Sequence, residues 1–534
     1  GIMDIITPVL GGLALFLFGM TIMGEGLQKS SGNKLKKIVG SLTRNKYIGV
    51  LLGIVVTMVI QSSSAATVMV VGFVNAGLMP LNQAVGVIIG ANVGTTITAQ
   101  IIAFDIAKYA PLIVAFGVLL YMSAKDDRKK NLGEVFVGLG LIFIGMNTMG
   151  DGLNPLSKEL WFKNALLKLN SPIIGVFVGF FLTTAVQSSS ASIGLIQALG
   201  KQGLLTINQA APLLLGGNIG TTTTALLSSV GAGKNAKRAA IIHLLFNAIG
   251  TIIVLLFLNK LMQNIVSMLT PLNVSRQIAN YHTLFNIINV AIQLPVSNFL
   301  VKAAMKIVPG EEHAKDLQYL DDRILETPSI AVEQARLEVI RMSDIVYQNF
   351  KNVDDYFMTG NKKLRSKILA EEKRINNLEK HIVEYLVKLS NKSISDEEHT
   401  QIFIMQDMLN DLERIGDHVE NICGIVTLVY DEEKEFSKVA IDEYKDLYSN
   451  VENAIIDSTM AFKNNDQSLA SKVANIENNV DFLEKKYRHN HIKRINNNEC
   501  DSTVGVNFLD ILSNLERISD HCTNISNYTL HIEV

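Results

Sequence analysis

Apolar runs broken only by short polar stretches fill the chain up to about Pro309, after which charged sequence with helical alternation takes over. A run of about 20 apolar residues is the length of a helix that crosses a hydrocarbon layer. Two runs are interrupted. The one from Tyr47 to Ile60 meets Gln61-Ser62-Ser63-Ser64, and the one from Ser171 to Val186 meets Gln187-Ser188-Ser189-Ser190, after which apolar residues resume. A polar cluster in hydrocarbon is costly unless it faces protein, water or a ligand. Each interruption therefore predicts a broken helix or the tip of a re-entrant hairpin. Beyond Pro309, the segments Ile330 to Phe350, Lys363 to Leu389, Glu397 to Val429 and Ile441 to Phe462 have the spacing of amphipathic helices.

The pattern is duplicated. With a constant shift of 126, Gly19, Gly49, Gly53, Thr57 and Gln61 return as Gly145, Gly175, Gly179, Thr183 and Gln187. The stretch Gly90-x-Asn92-x-Gly94-Thr95-Thr96-x-Thr98 returns as Gly216-x-Asn218-x-Gly220-Thr221-Thr222-x-Thr224. No gap is needed from Gly19 to Ala99, which marks an internal duplication. The charged half repeats itself too: Leu412-Glu-Arg-Ile-Gly-Asp-His418 returns as Leu515-Glu-Arg-Ile-Ser-Asp-His521. Two three-helix units in one bundle are expected there.

Charge turns this pattern into a topology. Up to Gly310 there are 22 Lys and Arg against 8 Asp and Glu; the remainder has 26 against 42. The basic excess lies in connections between apolar runs, so nucleic acid is not implied. Lys29, Lys34, Lys36, Lys37, Arg44 and Lys46 form one basic connection and Lys125 to Lys130 another, and basic connections face the cytoplasm. An odd number of crossings per copy then inverts the second copy. Three cysteines without a CxxC pair fit a reducing compartment. The stretch Ile5 to Leu27 lacks a basic start and recurs within the chain, so it is read as structure and not as a signal peptide. The expected fold is all-α. A polytopic membrane domain over 1–309 holds two inverted repeats (about 5–124 and 131–258) with re-entrant or broken helices, then an extra helix at about 276–305. A linker over 310–324 leads to a soluble helical bundle over 325–534.

Serine is a natural N-cap, and the N-terminus of a half-helix offers free N–H groups and a positive dipole end to an anion. In the second motif, paired glycines are expected to allow an unwound stretch where Asn and Thr oxygens hold a monovalent cation. No Lys or Arg lies in either motif, so mobile cations would neutralise the anion; Glu25 and Asp151 are pseudo-equivalent acids that could contribute. Small residues also serve close helix packing, but two in-register copies of both motifs outweigh that explanation. His243-x-x-Phe246-Asn247 and His282-x-x-Phe285-Asn286 are read as interhelical hydrogen-bonding pairs. In the charged half, Glu413 and Asp417, Glu477 and Asp481, and Glu516 and Asp520 each share a helix face. Such carboxylates across a bundle can hold a divalent or transition metal; the alternative is a solvated acidic face paired with Arg414 and Arg517. Glu372 is followed at the same spacing by Asn376, which predicts a weaker site on that helix. No glycine-rich nucleotide loop or nucleophile arrangement suggests an enzyme.

The double Gln-Ser-Ser-Ser, each copy followed by GxNxGTTxT, resembles the type II sodium/phosphate cotransporters over about residues 5–305. The resemblance implies inward symport of inorganic phosphate driven by sodium, by alternating access between facing hairpins. Phosphate would contact Ser62, Ser63, Ser64, Ser188, Ser189 and Ser190. Sodium would use Gln61, Asn92, Thr95, Thr96, Gln187, Asn218, Thr221 and Thr222. The repeated LERI(G/S)DH resembles a PhoU-type domain over about 325–534, which implies metal binding and a regulatory role. Together they are similar to a bacterial member, multi-pass in the inner membrane with its C-terminal domain cytoplasmic; a homodimer is one expectation for its assembly. The alternatives are a phosphate sensor that does not transport, and a sodium-coupled carrier of sulfate or a small carboxylate.

Overall fold

The computed structural model describes residues 1–40, 45–312 and 317–531, and every regular element among them is helical. Arg44 and part of the expected linker, 313–316, lie outside the described residues. The chain forms two compact units: Gly1–Ala331 with Lys392–Ser395, and Val332–Asn391 with Asp396–Val534.

In the first unit, one copy comprises α1 (Ile2–Gly40), α2 (Lys46–Ile60), α3 (Ser63–Asn75), α4 (Leu81–Ile102) and α5 (Ala110–Ser123). The other comprises α6 (Asp127–Leu153), α7 (Leu160–Leu167), α8 (Pro172–Val186), α9 (Ser189–Lys201), α10 (Ile207–Ser228) and α11 (Lys234–Ile253). Then follow α12 (Asn259–Leu269), α13 (Val274–Gln293) and α14 (Asn298–Ile307). Among the described residues four helices are long and apolar enough to cross a membrane, or six if two bent helix pairs each count as one span.

The pseudo-equivalent helices α1 and α6 pack against each other antiparallel through glycines. A Cβ at Gly12 would meet Met149 N at 2.5 Å and Gly145 O at 2.6 Å, one at Gly19 would meet Gly138 O at 2.7 Å, and one at Gly26 would meet Asn131 O at 2.7 Å. Lipid offers no hydrophobic drive for helices to associate, so close backbone contact has to supply the attraction. The pairing also brings the basic end of α1 beside the start of α6, where Lys29 reaches Glu134 at 3.3 Å. The residues Lys29 to Lys37 lie within α1 and not in a loop, because the helix runs on to Gly40.

Each serine-rich break sits in a hairpin whose arms are packed in the same way. A Cβ at Gly90 would lie 2.1 Å from Val50 O on α2, and one at Gly216 would lie 2.0 Å from Val176 O on α8. GxNxGTTxT is therefore not unwound: it runs inside the unbroken helices α4 and α10. Its glycines serve the approach of α2 to α4 and of α8 to α10, and those neighbours leave no room for the chain to open. Two further expectations change. The helix expected to stop near Leu258 continues through a π-turn at Val254–Leu258 into α12, and the extra helix bends by 83° between α13 and α14.

The chain leaves this unit across the ends of the same helices. Asn75 Nδ2, at the end of α3, donates to Asp321 Oδ2 at 2.6 Å, and Arg323 Nε donates to Ser228 O, the last residue of α10, at 2.5 Å. Ile324 packs on Gly72, where a Cβ would meet its Cγ1 at 3.0 Å.

The second unit contains α15 (Pro328–Thr359, which starts in the first unit), α16 (Lys362–Ser390), α17 (Asp396–Asp431), α18 (Lys438–Asn464), α19 (Gln467–Asn496) and α20 (Ser502–His531). Stacked rings fill its core, among them Phe350 on Tyr448 with centroids 4.3 Å apart. The two LERI(G/S)DH segments lie on α17 and α20. There the rings of His418 and His521 are 5.6 Å apart, held by Asn514 Oδ1 and Asp411 Oδ1, each at 2.9 Å.

Candidate functional site

Both Gln-Ser-Ser-Ser segments fold the same way. The glutamine ends the inbound helix in the left-handed region, φ 60° at Gln61 and 58° at Gln187, with its N–H bonded to Thr57 O or Thr183 O at 2.8 Å. A non-glycine residue held there costs about 1–2 kcal/mol, so the side chain has to secure the turn. It does so at both ends. Gln61 Oε1 accepts from Thr98 Oγ1 at 2.8 Å and Gln187 Oε1 from Thr224 Oγ1 at 2.8 Å. Each Nε2 turns back to the carbonyl three residues earlier, Met58 O or Thr184 O.

The outbound helix then begins on serine. Ser62 Oγ accepts from Ala65 N at 3.1 Å and Ser188 Oγ from Ala191 N at 3.2 Å, which caps α3 and α9. The N–H groups of Ser63 and Ser64, and of Ser189 and Ser190, belong to first turns that have no intrahelical acceptor. The two helix starts meet: Ser63 Oγ and Ser189 Oγ are 3.5 Å apart and both residues are buried. Two positive helix ends, first-turn N–H groups and hydroxyls thus converge, and neither Gln-Ser-Ser-Ser segment carries a Lys or Arg, which is a setting for an anion.

The expected cation ligands divide. Gln61 and Gln187 belong to the hairpin tips. The hydroxyls of Thr95, Thr96, Thr221 and Thr222 donate back into their own helices, to Ala91 O, Val93 O, Asn218 O and Ile219 O, which leaves their oxygen lone pairs as acceptors. Asn92 Nδ2 donates to Asn247 Oδ1 at 3.0 Å and Asn218 Nδ2 to Asn286 Oδ1 at 3.1 Å. Thr98 and Thr224, which hold the glutamines, are the last threonines of the motif; their place in it was the available signal. Glu25 lines a cavity of about 310 Å³ with Glu134 and Tyr121. Asp151 is exposed. The half-sites also differ, with Gln61 buried and Gln187 exposed.

In the second unit the acids gather in two groups. Glu372, Asp417 and Glu420 offer oxygens within 4.8 Å of one another, as do Asp481, Glu516 and Asp520. Glu413 and Glu477 border the first and second group respectively. Burial, then Asp417, Glu420 and Glu413, push Glu372 up to about 8. Burial and Asp417 raise Glu413 to about 7; burial, Glu516 and Asp481 raise Asp520 to about 6. Glu372, expected to mark a weak site, is the most deeply placed of these acids at 2 % exposed. Its nearest polar neighbour is another acid, Asp417, and no basic side chain pairs with it among the described residues. It fits because Gly416 has no side chain: a Cβ there would meet Glu372 Oε2 at 2.8 Å.

Helices long and apolar enough to cross a membrane, with two broken helices whose serine-started halves meet at Ser63 and Ser189, fit the class of membrane transport proteins. Residues 15–151 and 145–274 each match the Na+/Pi-cotransporter profile, and 339–426 and 444–529 each match the PhoU domain. The chain belongs to the Na+/Pi-cotransporter family, in a form that carries a PhoU domain, and is connected with phosphate transport. Among its relatives is YjbB of Salmonella typhimurium, provisionally named for inorganic phosphate export, 26% identical over 96% of this chain and 95% of that protein. YqeW of Bacillus subtilis, whose name assigns no activity, is 31% identical over 56% of this chain and 97% of that protein. The sodium-dependent phosphate transport protein 2A of Rattus norvegicus is 33% identical over 18% of this chain and 15% of that protein.

Proposed function

We propose that this chain is a sodium-coupled symporter that carries inorganic phosphate into the cell, with two inverted repeats each supplying half of the substrate site. The observation that carries it is the meeting of Ser63 and Ser189 at the starts of α3 and α9. Phosphate would be held by the hydroxyls and first-turn N–H groups of Ser62–Ser64 and Ser188–Ser190. Sodium would use the acceptor oxygens of Gln61, Asn92, Thr95, Thr96 and their counterparts Gln187, Asn218, Thr221 and Thr222. A multiply charged anion in low dielectric needs compensating charge, and these neutral oxygens can recruit it as mobile cation. The antiparallel contact of α1 and α6, with basic residues of both at one end, supports inversion and a cytoplasmic second unit.

The second unit would regulate transport by binding a divalent or transition metal. Support comes from Glu372, a buried carboxyl set among other acids, Asp417 and Glu420, whose oxygens lie within 4.8 Å of one another. Glu413, Asp417, Glu477, Asp481, Glu516 and Asp520 would complete the two metal groups.

Radiolabelled phosphate flux in proteoliposomes tests coupling and direction together. An inward sodium gradient should accelerate uptake. Phosphate efflux that is indifferent to sodium would sink this proposal and favour export, the activity in the name of YjbB. Ser63→Ala with Ser189→Ala should lower apparent phosphate affinity at least about tenfold, since each substitution removes a donor to a charged ligand. Unaltered affinity would refute the site.

A further inference from the structure

The asparagine of each GxNxGTT motif can turn either end of its amide toward a cation, and only one end is useful. A carbonyl oxygen attracts sodium; an NH2 group repels it. The side chain alone gives no preference, so something beside it has to decide.

On α11 and α13 the decision is made by hydrogen-bond logic. Asn247 Nδ2 donates to His243 O at 3.0 Å and Asn286 Nδ2 donates to His282 O at 2.8 Å. A main-chain carbonyl only accepts, so the NH2 end of each amide must face it. The Oδ1 end of Asn247 therefore faces Asn92, and that of Asn286 faces Asn218. Each partner has to answer with its own NH2, at 3.0 and 3.1 Å. The carbonyl oxygen of Asn92 is thereby turned away from Asn247, and that of Asn218 away from Asn286. These amides are buried, with Asn247 and Asn286 no more than 1 % exposed, so water offers no easy alternative partner. Asn92 Oδ1 makes no hydrogen bond among the described residues. Asn218 Oδ1 lies 3.3 Å from His282 Nε2, which occupies one of its two lone pairs.

We infer that Asn247 and Asn286 are positioning residues for the coupling cation: they lock the amides of Asn92 and Asn218 so that the carbonyl oxygens are presented to sodium. The repeated His-x-x-Phe-Asn supplies the device, because a residue four positions after the histidine reaches back to its carbonyl. This inference rests on the assignment of Asn92 and Asn218 to sodium proposed above.

The test is phosphate uptake by the full chain in proteoliposomes, with sodium titrated at saturating phosphate and phosphate titrated at saturating sodium. Loss of an outer partner that orients a metal ligand costs about 10–100-fold in metal affinity. Asn247→Ala and Asn286→Ala should each raise the sodium concentration for half-maximal uptake about tenfold or more, with the phosphate KM within about twofold of wild type. Loosened packing alone would lower the amount of active protein without that split. Asn247→Ser, whose hydroxyl can bond its own helix but is too short to hold Asn92, should show the same split if the alanine variant folds poorly. An Asn247→Ala protein with wild-type sodium dependence, beside an Asn92→Ala protein with weakened dependence, overturns the inference alone. If Asn92→Ala and Asn218→Ala also leave sodium dependence unchanged, the cation assignment falls first and this inference with it.

Discussion

At the scale of single residues, the turn at Gln61 separates what folding needs from what the site needs. Glycine would hold φ near +60° without strain, at a saving of about 1 kcal/mol that offsets much of what is lost with the hydrogen bonds to Thr98 and Met58 O. Gln61→Gly should therefore melt within a few degrees of wild type while phosphate uptake falls about tenfold or more as the hairpin tip loosens. Melting and uptake that fell together would show the glutamine to be a fold residue only. Glu372 gives a pH signature. Its folded pKa of about 8 lies above the ordinary carboxylate value of 4.5, so the folded state holds a proton that the unfolded chain releases. That contribution is complete below pH 4.5 and is lost as pH rises through 8. The melting temperature of metal-free protein should fall over that interval, and Glu372→Gln should flatten the slope. A divalent metal should bind more tightly over the same interval, as carboxylates shed protons. The breaks at the two Gln-Ser-Ser-Ser segments were legible in sequence from their repeated spacing, as was the gathering of Asp481, Glu516 and Asp520. The depth of Glu372 was not, because it depends on the space that Gly416 leaves on another helix.

Among elements, glycine decides which helices touch. In the motif GxNxGTTxT its spacing fits an unwound stretch or a packed one, and sequence cannot separate the two because the deciding atoms, Val50 O and Val176 O, belong to other helices. Neighbouring positions on α1 make the distinction measurable. A Cβ at Gly11 meets nothing within 4 Å, whereas at Gly12 it meets the backbone of α6 at 2.5 Å. Gly11→Ala should leave the melting temperature equal or higher, by up to about 1 kcal/mol of helix propensity. Gly12→Ala should destabilise by about 1–3 kcal/mol through overpacking. Equal effects at the two positions would mean that α1 and α6 do not meet as described.

For the molecule as a whole, the all-α character and the change of composition near Pro309 were readable because periodicity and charge are local properties. The bend between α13 and α14 was not, and neither was the course of residues 317–326 over the ends of α3 and α10. That course has a measurable counterpart. Arg323→Ala removes a bond to Ser228 O and a side chain set between Asp321 and α10. It should leave the phosphate KM unchanged while exposing residues 317–326 to limited proteolysis about tenfold faster, as expected where local opening becomes easier. A protection pattern equal to wild type would show that the Asn75–Asp321 bond and packing on Gly72 hold the segment without the arginine.

The glycines facing one another across α1 and α6 also bear on how such a chain can change over generations. Gly12 meets Gly145 and Gly19 meets Gly138, so each copy is the other's packing surface. Any enlargement at one of these positions is felt by the opposite copy at the same depth. Once the two halves were joined, they lost the usual freedom of duplicates to drift apart at these sites, while the flanking lipid-facing positions kept it. Divergence between the halves should accordingly be concentrated at those lipid-facing positions and be least along this seam.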